Sequence, residues 1–167
     1  MLISDFNQGS SSKISTLLNH CVHIPRWSLD LLQHRPFSTT NELFQVAEKH
    51  AQSWSWDEIL AALNTHPRIG EKQAKTVLSE PEQLFSDREQ ATLNADQDTL
   101  DAIYQGNLTY EKKYGFIFLI KASGLNSQQI RTALNYRLKN DPDIEKRIVH
   151  QQLLEIALLR LKQAVEA

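Results

Sequence analysis

"YGFIFLIKASG", residues 114–124, decides the fold class. It is an apolar run of strand length, rich in aromatic and branched residues and carrying Gly115 and Gly124. Periodicity alone admits either a buried strand or a buried helix. A lone strand leaves its backbone donors and acceptors without partners, and most of the remaining chain has helical spacing. The expectation is therefore a helix with an irregular break, inside an all-α fold.

Working outward, "SSKISTLLNHC" places Ile14, Leu17, Leu18 and Cys21 on one helical face. "RWSLDLLQH" continues the pattern until Arg35-Pro36 stops it. Two later segments open with capping boxes, Thr39-x-x-Glu42 and Ser55-x-x-Glu58. A polar connector containing Pro81 leads into "SDREQATLNADQDTLDAIYQGNLTYEKKYG", one long helix or two consecutive ones. "SQQIRTALNYRLKN" is a further helix. The longest opens with Asp141 as N-cap and Pro142 at the first helical position. No repeat or long linker interrupts the chain, so residues 1–167 read as a single domain. The expected architecture is a compact helical bundle of about seven to nine helices.

Bulk properties narrow the function. The chain has 167 residues, enough for a core without disulfides or a structural metal. With 41% apolar and 23% charged residues, it has the composition of a globular protein. A net charge of −2 supplies no field that would gather nucleic acid or an anionic membrane. The single cysteine, Cys21, precludes an internal disulfide and suits a reducing compartment. The first residues lack the basic and apolar regions of a signal peptide. No apolar run approaches the roughly 20 residues of a membrane helix. A cytoplasmic protein is expected, acting on a small molecule, with room left for a homodimer.

Three constellations could carry chemistry, and each has an ordinary structural reading. In "NTHPRIGEK", residues 64–72, Pro67 and Gly70 end the preceding helix and leave His66 at its terminus. Histidine is the commonest general acid or base near neutral pH; the ordinary reading is a cation at a helix C-terminus. In "SDREQ", residues 86–90, Ser86-x-x-Glu89 has the form of a third capping box. The functional alternative makes it a helix N-terminus that binds an anionic group, with Ser86 and Gln90 donating and Glu89 handling a proton. Arg160 sits late in the last helix, where arginines usually cap carbonyls, but its fork could hold a carboxylate or ureido carbonyl.

Other signals are weaker. His20, Cys21 and His23 cluster, but no HExxH or paired CxxC completes a zinc set, so no metal is expected. Tyr104, Tyr110 and Tyr114 lie near lysines without a basic stripe or an RNA-binding motif. There is no phosphate-binding glycine loop and no GxSxG elbow.

Taken in order, "RPF" (35–37), "HPRIGEK" (66–72), "SDREQ" (86–90), "NLTYEKKYGFIFLIKASG" (107–124), "LNYRLKNDPDIE" (134–145) and "LLRL" (158–161) form a series. It resembles the 2-oxo-4-hydroxy-4-carboxy-5-ureidoimidazoline (OHCU) decarboxylase family of purine catabolism, from Phe6 to about Leu161. The resemblance implies an all-helical carboxy-lyase without a cofactor, which converts OHCU, an unstable product of urate degradation, into (S)-allantoin. It carries the catalytic histidine onto His66 and the substrate pocket onto Pro67, Ser86, Asp87, Arg88, Glu89 and Gln90. It carries the backbone cradle onto Phe118, Leu119, Ile120, Lys121 and Ala122, and the late arginine onto Arg160. His66 and Glu89 would then handle protons while the other groups bind substrate. Two positions depart from the family's usual residues: Glu155 stands for a lysine and Tyr114 for a phenylalanine. The alternative is a non-catalytic binding or scaffold protein of the same fold, in which His66 and Ser86 to Glu89 only punctuate helices. A metal-dependent hydrolase built on His20, His23 and His66 is a third reading.

Overall fold

A computed structural model of the chain describes residues 1–70, 80–89 and 96–167. Among the described residues there are nine α-helices: α1 (Ile3–Gln8), α2 (Ser11–Cys21), α3 (Pro25–Gln33), α4 (Thr40–Ala51), α5 (Trp56–Leu63), α6 (Glu80–Glu89), α7 (Gln97–Tyr114), α8 (Ser127–Arg137) and α9 (Pro142–Ala164). The β pairing seen among them is one isolated bridge between Leu2 and Glu166. The fold class is all-α, as the sequence implies. By its internal contacts the chain divides into two compact units, Met1–Ala62 with Leu153–Ala167, and Leu63–Gln152.

In the first unit, local chemistry sets the helix ends. Ser10 caps α2 by accepting from the Lys13 amide, and Ile14, Leu18 and Cys21 turn inward at i, i+4 and i+7. Thr39 caps α4, accepting from the Glu42 amide at 3.1 Å, while the Glu42 carboxylate reaches the Ser38 amide at 2.6 Å. Ser55 and Glu58 form the full reciprocal box at the start of α5, with bonds of 3.2 and 3.0 Å. Trp27 anchors the core: its indole N–H donates to the Ala47 carbonyl at 2.9 Å, and its ring meets Trp54 edge-on at 6.0 Å.

Glu58 also receives the Arg26 fork, at 2.8 and 3.1 Å. The bond from Arg26, helped by the Ser55 amide, holds the Glu58 carboxyl below the usual glutamate range. A depressed folded-state value contributes stability that is complete above the unfolded value and is lost as pH falls through the folded one. Glu58→Gln therefore has a shallower decline of Tm with acidification, read by thermal unfolding across pH 3–6 (roughly the carboxylate titration range). The effect is small, because the pair is partly exposed.

The second unit is built on α7 and α8. Asp96 caps α7 through the Thr99 amide at 2.7 Å, and Asn126 and Gln129 form a capping box at α8. Gly106 allows these two helices to approach closely: a Cβ there would lie 2.4 Å from Leu134 Cδ2. The C-terminal carbonyls beyond α8 are taken by side chains. Lys113 Nζ donates to Leu138 O at 2.6 Å, and Tyr114 Oη lies 2.8 and 2.6 Å from the carbonyls of Arg137 and Asn140. That gives the Tyr114 hydroxyl a structural use that phenylalanine lacks. Pro142 opens α9, whose first helical bond runs from the Glu145 amide to Asp141 O at 3.0 Å.

Two expectations are corrected here. Residues 117–122 are neither helix nor strand, so the broken-helix reading of residues 114–124 fails after α7 ends at Tyr114 with Gly115 as its C-cap. The objection to a non-helical run was its unpaired backbone, and side chains meet it. Arg137 Nη1 donates to Leu119 O at 2.5 Å, and Gln152 Oε1 accepts from the Lys121 amide at 2.8 Å. The second correction concerns Ser86-x-x-Glu89, which is not a cap. Helix α6 is described over Glu80–Glu89, which places Ser86 in its interior with helix on its N-terminal side. Pro81 needs no amide partner in a first turn, and Glu80 and Glu82 favour the positive end of the helix dipole. The anion-binding alternative for this N-terminus falls with it, since the amides of Ser86 to Glu89 lie within the helix.

Candidate functional site

The Leu63–Gln152 unit contains His66, Pro67, Ser86 to Glu89 and Phe118 to Ala122. His66 follows the end of α5 and closes a turn by donating its amide to Leu63 O at 3.1 Å. It is half-buried, as is Pro67. The turn continues to Gly70, whose φ of +81° favours glycine over any residue with a Cβ. Two side chains of α7 hold this turn. Asn107 Nδ2 donates to Ile69 O at 3.2 Å, and Glu111 Oε1 takes Arg68 Nε at 2.5 Å. Asn107 is buried, and its Oδ1 has no hydrogen-bond partner among the described residues.

Helix α6 has an unusual inward face. Its buried residues are Glu82, Ser86 and Glu89, at 7, 3 and 8% exposure, and their i, i+4, i+7 spacing is that of a core stripe. A stripe serving packing alone would be apolar, whereas this one is made of two glutamates and a serine. Asp87 and Arg88 lie on the exposed side, and Asp87 accepts from Gln83 at 2.8 Å. Gln90 lies outside the described residues, as do Glu71 and Lys72 of the histidine motif.

Phe118, Leu119 and Ala122 are buried, and Ile120 and Lys121 are half-buried. Behind them sits a polar network absent from the sequence reading. Glu145, fully buried, accepts from Tyr110 Oη and from Arg137 Nε, each at 2.6 Å, and from Asn140 Nδ2 at 3.1 Å. Arg137 also lies 4.5 Å from the Phe118 ring centroid. Burial, and then the bond to Glu145, pushes the Tyr110 hydroxyl well above its ordinary pKa, so it remains a donor.

Arg160 belongs to the other unit, where it is buried and its Nη1 lies 3.4 Å from Cys21 O. Cys21 itself is fully buried. Among the described residues, no group of three or more His, Cys, Asp and Glu side chains could hold a metal ion. None of the helices there is long and apolar enough to cross a membrane.

The OHCU decarboxylase family model matches residues 7–162. The chain belongs to the OHCU decarboxylase family. Among relatives of the family, it is 28% identical over 129 residues to the 2-oxo-4-hydroxy-4-carboxy-5-ureidoimidazoline decarboxylase of Haloferax volcanii, which covers 77% of this chain and 74% of that one. It is 31% identical over 103 residues to the uric acid degradation bifunctional protein TTL of Arabidopsis thaliana, covering 61% of this chain. The chain spans only 32% of that protein, and 32% of a bifunctional uric acid degradation protein of Bacillus sp.. The crystal structure of an OHCU decarboxylase in the presence of (S)-allantoin superposes with a TM-score of 0.74 at 24% identity, covering 93% of this chain and 98% of the other. That likeness concerns the fold.

Proposed function

We propose that this chain removes CO₂ from OHCU and yields (S)-allantoin, with His66 and Glu89 handling the protons. The observation that carries the reading is the inward polar face of α6, Ser86 and Glu89 buried where packing alone would place apolar groups. Loss of CO₂ from C4 leaves an electron pair that the adjacent C5=N imine accepts. The substrate is thus its own electron sink. The imine nitrogen, now carrying that pair, takes a proton; the C4 hydroxyl gives up its proton and C5 gains one on a single face. In this reading His66 acts on the C4 hydroxyl or delivers the C5 proton, and Glu89 takes the complementary role.

Ser86, Pro67 and the backbone of Phe118 to Ala122 shape the substrate site. Side-chain donors fixed toward the ring and ureido oxygens stabilise the charge that builds there as electrons delocalise, while the 118–122 backbone binds the substrate equally before and during the reaction. Arg160 is taken as a substrate-binding arginine by its position in the family motif. Asp87 and Arg88, being exposed, take the outer part of the segment, and Gln90 remains a donor by family position. Residues 1–167 act as one functional domain, a reading supported by a family match that runs through both compact units. The substrate is a small molecule, the setting is the cytosol, and the protein works without a cofactor, as a monomer or homodimer.

The test is to generate OHCU from urate in situ and follow its conversion by ¹³C NMR. Wild-type protein accelerates loss of the OHCU carboxyl carbon as CO₂ above the spontaneous rate. A well-folded protein that leaves that rate unchanged removes the proposal.

A further inference from the structure

The irregular run at residues 117–122 is held from behind at alternate positions. Leu119 gives its carbonyl to Arg137, and Lys121 gives its amide to Gln152. Backbone groups two residues apart share an edge in an extended chain, so both anchors are consistent with a grip on one edge of the segment. That arrangement leaves Ile120, between them, outside the anchoring.

Arg137 is itself fixed. It is 5% exposed, pairs with the fully buried Glu145 through Nε and Nη2, and lies against the Phe118 ring. Tyr110 and Asn140 also donate to Glu145. A buried ion pair of this kind adds little net stability over apolar residues of the same size. Its guanidinium, however, offers donors in a fixed plane, which can hold a carbonyl at a set position. Gln152 comes from α9, so two helices, α8 and α9, supply the two anchors.

We propose that Arg137 and Gln152 are positioning residues, which set the 118–122 backbone for substrate binding through the Leu119 carbonyl and the Lys121 amide. This inference rests on the reading that the 118–122 segment cradles the substrate. Neither residue touches the reacting atoms, so loss of an anchor weakens binding of ground state and transition state alike. Such a loss raises KM and leaves kcat nearly unchanged.

Gln152 is the cleaner probe, since it is only half-buried and its replacement spares the ion pair. Gln152→Leu removes the acceptor for the Lys121 amide, whereas Gln152→Glu retains one. Expected for Gln152→Leu is a KM for OHCU raised by about 5–10-fold, the equivalent of one hydrogen bond, with faster hydrogen exchange at the Lys121 amide. Gln152→Glu restores both towards wild type. Arg137→Lys, which keeps the charge opposite Glu145 but lacks the planar fork, also raises KM. Wild-type KM in both Gln152→Leu and Arg137→Lys, with wild type active, overturns the positioning role alone. A fall in kcat with unchanged KM overturns it too. Absence of turnover in the wild-type protein removes the decarboxylase reading, and this inference with it.

Discussion

His66→Asn lowers kcat for OHCU decarboxylation by roughly 10²–10⁴-fold, the range of a positioned proton transfer, and leaves the fold intact. Asparagine keeps the polar, hydrogen-bonding character of the side chain but cannot exchange a proton near neutral pH. The backbone of the turn is unaffected, because His66 is tied to Leu63 O through its amide. Arg68–Glu111 and Asn107–Ile69 continue to hold the residues that follow. Steady-state kinetics, with circular dichroism of the backbone as a folding control, separates lost chemistry from lost structure. A variant that retains more than about a tenth of wild-type kcat excludes His66 from the rate-limiting proton transfer.

Glu145→Ala destabilises the protein by about 3–5 kcal/mol, the cost of leaving a buried charge without its partner. Arg137 then keeps its charge at 5% exposure, with the Leu119 carbonyl but no carboxylate to receive it. Tyr110 loses the acceptor for its hydroxyl at the same time. Urea unfolding followed by tryptophan fluorescence reads the change as a lower midpoint. The double variant Arg137→Met, Glu145→Leu recovers most of that stability, because replacing both charges by apolar groups of similar volume is often neutral or favourable. If the single variant has an unchanged midpoint, the ion pair is not the buried element described.

Much of the helical frame was legible in the sequence because its signals are local. Ser55 and Glu58 form the box that their spacing announces, and Pro142 opens α9 as a first-position proline should. Ser86 and Glu89 share that spacing without the structure, since the helix already runs from Glu80, six residues before Ser86. The motif is ambiguous wherever a second start signal precedes it. Residues 117–122 resisted for a different reason. Their stability comes from Arg137 and Gln152, distant in sequence, and no local pattern reports that a side chain will stand in for a neighbouring strand.

The candidate site divides in the same way. His66 was visible because Pro67 and Gly70 mark a helix end. Glu145 was not, because an acidic residue in the first turn of a helix ordinarily complements the dipole in solvent, and here it is fully buried. Asn107 carries no pattern at all: an asparagine within a long helix gives no sign that its amide reaches the Ile69 carbonyl. The family resemblance supplied the order of the motifs, and the geometry adds the polar scaffold behind them.

The most direct measurement is the optical activity of the allantoin formed when OHCU is generated from urate in the presence of the wild-type protein. Spontaneous decay protonates C5 on either face and yields a racemate. A circular dichroism signal of (S)-allantoin that grows with protein concentration is the result expected of a decarboxylase that directs the proton to one face. A flat signal, from folded protein at concentrations sufficient to bind the substrate, contradicts it and leaves the chain a helical binding protein of the same family fold.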